Sequence, residues 1–342
     1  MRSPNSWILN NIRYIACACE CAVLRLRGSM QGMRMIMYNG IMNVYKEAGY
    51  TSHDVVARLR GICKMKKIGH TGTLDPEAVG VLPVCLGSGT KLCDMLTDWD
   101  KEYIAVLRLG VVTDTQDMTG QVQRRCTVEQ AEALTNDQVS RAVLDFVGEY
   151  GQVPPMYSAL KVNGKRLYEL ARAGKEVERR PRKVQIREIE IQNLELPQVK
   201  MRVVCSKGTY IRTLCHDIGE RLGCGGAMES LVRSRVGIFG IEDALTLDQI
   251  EELSAQNKIS DAIIKPDAVF GKNRAVVVTE YGRRMAANGN VLRTDQLSGT
   301  ICPADGEQVR VYDDKGKFYG IYRYDVKRNA LKPVRMFLTS ED

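Results

Sequence analysis

The sequence predicts an α+β chain, with strands and helices interspersed up to residue 270 and a small β-rich unit over residues 271–342. Three observations carry that reading. Segments 103–109, 184–196 and 200–205 read as strands, while Val55, Val56, Leu59 and Ile62 repeat at helical spacing. Pro266 and Gly271-Lys272-Asn273 then punctuate the chain. Beyond them, residues 275–278, 309–312, 318–324 and 334–338 alternate like strands of a small barrel. A length of 342 residues accommodates two domains.

Composition narrows the function classes. The chain is 44% hydrophobic and 26% charged with a formal net charge of +8, the profile of a globular protein compatible with a polyanionic partner. No run of about 18 apolar residues marks a membrane span. The 11 cysteines are scattered, partly in apolar runs (Cys63, Cys85, Cys205), as reduced thiols packed like small hydrophobes are. With no C-x-x-C and only His53, His70 and His216, a zinc site is not expected. Residues 1–38 stand apart. Five arginines against Glu20 give this segment +4 of the net charge, and it holds Cys17, Cys19 and Cys21. Its preferred reading is an over-called start, with translation beginning near Met35 or Met37. Glu20 and the lack of an A-x-A site oppose a signal peptide, and an arginine-rich presequence is the other alternative.

From Asn39 the pattern is regular. Residues 40–45 read as a strand and 46–52 as a turn, with Ser52 as N-cap of a helix reaching about Lys64. Gly87-Ser88-Gly89-Thr90-Lys91 lacks the spacing of a nucleotide loop. Thr90 is expected to cap a helix carrying Leu92, Met95, Leu96 and Trp99. Thr127-x-x-Gln130 and Thr135-x-x-Gln138 have capping-box form, with Val139, Val143, Phe146 and Val147 as one apolar face. Asn163-Gly164 marks a tight turn, and Lys175, Arg179, Arg180, Arg182 and Lys183 follow a helix over 167–173. Residues 154–183 thus read as a flap over RNA or as a solvated charged loop. Thr209 is expected to cap a helix reaching Leu222, with Gly223 as its stop. Arg212 then lies in the first turn, where it opposes the helix dipole and calls for an anion. Thr246-x-x-Gln249 caps one more helix.

The chemistry concentrates in Gly69-His70-Thr71-Gly72-Thr73-Leu74-Asp75-Pro76-Glu77-Ala78-Val79-Gly80. Its glycines allow tight turns and close approach of a ligand. Pro76 restrains Asp75 toward an extended conformation. Asp75 is therefore either a carboxylate fixed on a stiff catalytic loop or the cap of a short helix in a structural one. Lys64, Lys66 and Lys67 lead into this loop.

H-T-G-T-L-D-P followed by A-x-G-x-L-P resembles the catalytic signature of the TruB family, tRNA pseudouridine synthases acting on the T-loop. Further stretches agree in order. Tyr103 matches K-x-Y, and residues 113–120 match T-D-T-x-D-x-x-G. Residues 154–166 match P-x-Y-S-A-x-K-x-x-G, 205–214 match C-S-x-G-T-Y-I-R-[ST]-L, and 231–237 match L-x-R-[ST]-x-x-G. Asn288-Gly289-Asn290-Val291 resembles the G-N-x-V turn of PUA-like domains. The resemblance runs from Asn39 to the end, with Lys46-Glu47 standing where the family has Lys-Pro. It implies a pseudouridine-synthase fold over 39–270, a mixed, largely antiparallel sheet with flanking helices, and a PUA-like RNA-binding β-barrel over 271–342.

The resemblance also implies roles. Asp75 is the one ionised carboxylate that the rearrangement needs near the sugar. Arg212 lowers its pKa, by about 1–3 units for such a pair, and aims it by bidentate contact. Tyr103 stacks on the target base and takes the proton from carbon. His70 fills the space of the flipped nucleotide. Tyr210 and Leu231 line the base pocket, Lys46 and the flap grip phosphates, and Asp117 is a candidate RNA contact. No metal and no cofactor are expected, since nothing is oxidised and no group is carried. The expected partner is the T-arm of tRNA, bound by a cytoplasmic monomer with no membrane and no required protein partner. Three alternatives are carried. A tRNA-folding chaperone with little catalysis is opposed by the joint presence of Asp75, Tyr103 and Arg212. A uracil-releasing glycosylase uses two carboxylates. A guide-RNA-dependent relative is opposed by the lack of long Lys-rich tails.

Overall fold

A mixed sheet forms the frame of the larger part of the chain. In the computed structural model, which describes residues 37–127, 129–130, 133–162, 164–299 and 303–338, its main path runs β1–β3–β12–β4–β11–β10–β7. These strands are β1 (Gly40–Lys46), β3 (Val79–Leu86), β4 (Lys101–Leu109), β7 (Gly148–Gln152), β10 (Arg182–Glu195), β11 (Gln198–Cys205) and β12 (Gly226–Val236). Every neighbouring pair is antiparallel except β3 with β12. That parallel contact joins Val232 to Val79 and Arg233 to Gly80. On its other side β12 sets Arg233 opposite Tyr103 of β4. The loop that enters β3 therefore arrives at the middle of the sheet.

Amphipathic helices cover the strands. Helix α1 (Ser52–Ile62) buries Val55, Val56 and Leu59. Helix α6 (Leu247–Ala255) buries Leu247 and Ile250. Both pack on Met42, Val44, Leu82 and Val84. Each such buried aliphatic side chain contributes up to about 1.5–3 kcal/mol. Helices α3 (Asn136–Leu144) and α5 (Ile211–Arg221) pack Val139, Val143, Leu214 and Ile218 against Leu107, Val199, Met201 and Val203. The smaller α2 (Cys93–Thr97) and α4 (Leu167–Arg172) are single short elements.

The C-terminal strands make a separate five-stranded sheet, curled and PUA-like, in the order β14–β16–β17–β18–β15. They span Arg274–Val277 (β14), Leu292–Arg293 (β15), Gln308–Tyr312 (β16), Phe318–Asp325 (β17) and Ala330–Met336 (β18), with helix α7 (Glu280–Ala287) between the first two. Residues 38–342 nonetheless form one compact unit. Ile321 and Phe337 share a core with Ile41, Val81, Val236 and Val269.

Three capping expectations are corrected. Thr51, not Ser52, caps α1, in a reciprocal box with Asp54. Ser52 is buried and its hydroxyl accepts the Leu74 N–H at 2.9 Å, a stronger claim on it than the helix end. Thr90 sits within a 3-10 turn, Gly87–Leu92, and donates to the Gly87 carbonyl at 2.8 Å. Tyr210 occupies the cap position of α5, since Thr209 donates instead to the Ser206 carbonyl at 3.0 Å. Val147, expected on an apolar face, is exposed. Thr127 and Gln130 do exchange capping-box bonds, but Val128, Ala131 and Glu132 lie outside the described residues, as do Asn163 and the N-terminal segment 1–36. Among the described residues no helix is long and apolar enough to cross a membrane.

Candidate active site

The Asp75 loop leaves β2 (Ile68–His70) and returns as β3, with no helix after Pro76. Asp75 therefore caps no helix. The loop is tied down from all sides. Thr97 donates to the Thr71 carbonyl at 3.1 Å, and Arg233 donates to Gly72 O at 3.2 Å and Val81 O at 2.7 Å. The Leu74 N–H is held by Ser52. The Pro76 carbonyl accepts from Lys46 Nζ at 2.8 Å and from the Gly49 N–H at 3.0 Å. Gly80 is required where β3 meets β12. It has φ +108°, and a Cβ there would stand 2.3 Å from the Arg233 carbonyl.

Into this loop reaches Arg212, 137 residues away in sequence. Its Nε lies 2.9 Å from Asp75 Oδ2 and its Nη2 3.1 Å from Oδ1, a bidentate fork. Nη2 also donates to Tyr157 O at 2.9 Å and Nη1 to Thr115 O at 3.1 Å. The arginine is enclosed, 7% exposed, while the Asp75 side chain is 39% exposed and faces out. Asp117 Oδ2 stands 3.6 Å from Nη1. Two carboxylates thus offset an arginine in the first turn of α5, where the helix dipole disfavours it.

Asp117, a candidate RNA contact, belongs to the Arg212 cluster and also lines the cavity. Its carboxylate accepts from Thr115 Oγ1 at 2.7 Å, from the Thr119 N–H at 3.0 Å and from Thr119 Oγ1 at 2.5 Å. Gln116, at φ 64° in the left-handed region, is held by Thr213 at 2.7 Å and by the Met228 N–H at 3.0 Å. Residues including Asp75, Ala78, Asp117, Met118, Met228 and Leu231 line a cavity of about 480 Å³. That volume lies within the ~300–1,000 Å³ range of small-ligand sites.

Burial pushes the Asp75 carboxyl up from the ordinary carboxylate range. Arg212 and Lys46 pull it down, and Asp117 pushes it up again. The expectation that Arg212 leaves this pKa depressed is thus corrected: the desolvation of the loop outweighs the fork.

The remaining expected residues fall in different places. Leu231 lines the cavity and is buried with Leu74, Ala78 and Tyr103. Tyr103 is not in the lining. Burial raises its pKa, and the Arg233 guanidinium nearby pulls it down. His70 accepts the Gly72 N–H on Nδ1 at 3.3 Å, so its proton resides on Nε2. Burial and Arg233 lower its pKa, which keeps it neutral. Tyr210 is half-buried at the start of α5.

Lys46 does not grip phosphates. It is 0% exposed, and Nζ donates to the Glu47 and Pro76 carbonyls at 2.9 and 2.8 Å. Burial lowers its pKa to about 8. Its position at the end of β1, under the loop, turns it into a brace. Arg233, 1% exposed, is the residue that sequence reasoning missed. It is the arginine of the L-x-R-[ST]-x-x-G match, and Gly80, whose lack of a side chain admits the Arg233 backbone, was a second signal.

Residues 60–211 match the TruB family pseudouridylate synthase N-terminal domain, and residues 212–268 match the tRNA pseudouridylate synthase B C-terminal domain. A tRNA pseudouridine synthase B from Lachnoclostridium phytofermentans is 52% identical over 310 residues, covering 88% of this chain and 100% of that protein. The chain belongs to the TruB family. A second TruB relative, the tRNA pseudouridine synthase B of Alkaliphilus oremlandii, is 45% identical over 306 residues, 89% of this chain and 100% of the relative. Among solved structures, a Cbf5–Nop10–Gar1 complex is similar to this TruB-family chain at 26% identity and a TM-score of 0.65. The match covers 88% of this chain and 86% of that one. An H/ACA RNP bound to a substrate RNA containing 2'-deoxyuridine also has a TM-score of 0.65, at 24% identity, over 88% of this chain and 85% of that one. That likeness is one of fold.

Proposed function

We propose that this chain isomerises uridine to pseudouridine in tRNA, at position 55 of the T-loop. The observation that carries the reading is the Asp75 carboxylate, held in a fork by Arg212 and turned to the mouth of the cavity, in a chain of the TruB family. The reaction breaks the bond from ribose C1′ to base N1, turns the uracil and joins C1′ to C5. N1 gains a proton and C5 loses one, so atoms balance with no co-reactant.

The chain's residues divide the work. Asp75 is the carboxylate at the sugar–base junction, the one charge the cleavage needs. Arg212 aims it, and Asp117 and the Thr115 and Tyr157 carbonyls keep Arg212 from rotating away. Leu231 offers an apolar wall to the flipped base. Tyr103, buried beside Leu231 in the same core cluster, is the proposed acceptor of the C5 proton. His70, at the end of β2, takes the place of the everted nucleotide. Extruding the base costs a few kcal/mol, about what phosphate contacts can offset. The hairpin of β8 (Lys161–Val162) and β9 (Lys165–Arg166), continued by α4, supplies those contacts. Tyr168 there is flanked by Arg166 and Arg172, 5.8 and 5.6 Å from its ring centre.

The test is incubation with an unmodified tRNA transcript, followed by mapping of pseudouridine at single-nucleotide resolution. Pseudouridine at position 55 with no free uracil is expected. Release of uracil would indicate a glycosylase, and an unchanged transcript would leave only RNA binding.

A further inference from the structure

Helix α5 carries Arg212 in its first turn, yet no side chain of its own caps its start at Tyr210. Gln152, at the end of β7 and 58 residues away, instead holds the main chain of Tyr210 itself. Its Oε1 accepts the Tyr210 N–H at 2.8 Å, and its Nε2 donates to the Tyr210 carbonyl at 2.9 Å. The amide thus pairs with both polar groups of one residue's main chain. Nε2 also donates to the Tyr150 hydroxyl at 2.7 Å, and that hydroxyl donates to Asp217 Oδ2 at 3.0 Å, further along the same helix. Gln152 is 1% exposed, so water does not replace these bonds when they break. The start of α5 cannot slide or rotate without breaking them, and Arg212 follows two residues later.

We propose that Gln152 is a positioning residue for the isomerisation: its amide sets the register of the first α5 turn and, through it, of the Arg212 fork on Asp75. This rests on the functional reading above. Gln152 itself is absent from the cavity lining, so it acts only through Tyr210. A fork–carboxylate contact tolerates little displacement, and a misplacement of about 1 Å can cost about 10²-fold in rate.

The full chain with Gln152→Ala or Gln152→Glu is compared with wild type on unmodified tRNA. Gln152→Ala is expected to lower kcat about 10–100-fold, with the tRNA Kd within about threefold because phosphate contacts set it. Exchange of the Tyr210 amide hydrogen rises about tenfold or more in the same variant. In Gln152→Glu the acceptor for the Tyr210 N–H survives. The donor for its carbonyl exists only when the new carboxyl is protonated. In protein shown by its melt to be folded at each pH, the ratio of variant to wild-type kcat therefore recovers toward one as pH falls and drops as pH rises, whereas a role in folding alone leaves it flat. A folded Gln152→Ala with kcat within about twofold of wild type, or with unchanged Tyr210 exchange, overturns the proposal. Should the alanine variant not fold, a pH-independent Gln152→Glu ratio does so. If wild type itself forms no pseudouridine, the functional reading fails, and the exchange measurement still reports on the Gln152 clamp.

Discussion

Replacing Arg212 by lysine keeps a positive charge and removes a fork. Arg212 makes two contacts to Asp75, at 2.9 and 3.1 Å, and donates to two main-chain carbonyls at 2.9 and 3.1 Å. The four contacts leave three different nitrogens spread over a plane. A lysine Nζ offers its donors from a single point. It cannot span both Asp75 oxygens and both carbonyls, which come from separate loops. Hydrogen bonds to a charged group are worth about 1.5–3 kcal/mol each. At 7% exposure solvent does little to replace them. Losing one Asp75 bond together with the aim of the other amounts to about 3–4 kcal/mol of transition-state stabilisation, a fall in kcat of about 10²–10³-fold. The assay is single-turnover release of tritium from tRNA labelled at uridine C5, since that hydrogen leaves when C5 becomes the glycosidic atom. A thermal melt and a tRNA-binding curve accompany it. An Arg212→Lys protein that melts like wild type and turns over within about fivefold of it would refute the reasoning.

Asp75→Asn is expected to abolish turnover in the same assay while tRNA affinity stays within about tenfold, because affinity rests on phosphates; full activity contradicts the assignment. For Lys46 the sign follows from its lowered pKa. Between about 8 and 10.5 the unfolded chain binds the proton that the folded chain has released, so the stability of wild type relative to Lys46→Met rises across that window, by up to about 3 kcal/mol. Urea unfolding of both proteins at pH 7 and pH 10 checks this, and an equal difference at the two pH values contradicts it. In the flap, joint replacement of Lys161, Lys165 and Arg166 by alanine is expected to lower the slope of log Kd against log salt by about 2, near 0.7–0.9 per phosphate contact. A slope that does not move identifies these residues as a solvated loop.

Much of this architecture is carried by local signals. Val55, Val56 and Leu59 repeat at the helical period because one face of α1 is buried. The alternating tail segments correspond to β14, β16, β17 and β18, with the last strand starting earlier than its pattern suggested. Asp75 was legible because its neighbours form a short contiguous pattern. The misreadings share a cause, which is that a side chain with two possible partners is settled by a distant one. Thr51 and Ser52 are both good caps, and Leu74 decides between them by claiming Ser52. Thr90 and Thr209 turn to nearby carbonyls instead of helix ends. Asp117 reads as a turn residue until α5 brings Arg212 beside it. Lys46 and Arg233 are written with the same letters as surface cations, and only the β1–β3–β12 packing buries them.

Those buried cations say why the site suits an anionic substrate. Among the described residues the buried charged side chains are Lys46, Lys101, Arg212, Arg233 and Asp313. Asp313 belongs to the C-terminal sheet, where Tyr319 donates to it. The four cations lie on β1, β4, β12 and α5, and Lys46, Arg212 and Arg233 bond the Asp75 loop directly. Only Arg212 meets carboxylates. Lys46 donates to Glu47 and Pro76 carbonyls, Lys101 to those of Thr97 and Trp99, and Arg233 to those of Gly72 and Val81. Carbonyls satisfy the donors but cancel no charge, and burial accordingly lowers the pKa of each lysine to about 8. Burying charge in this way is a poor route to stability, since well-packed apolar residues often do as well or better. What it does provide is positive charge beside the loop, from Lys46, Arg212 and Arg233. Arg212 and Lys46 pull the Asp75 pKa down against the burial that raises it, and in a cleft with low-dielectric walls positive charge extends its field outward to a phosphate backbone. The same charges thus oppose the effect of burial on the carboxylate and favour the arrival of a polyanion.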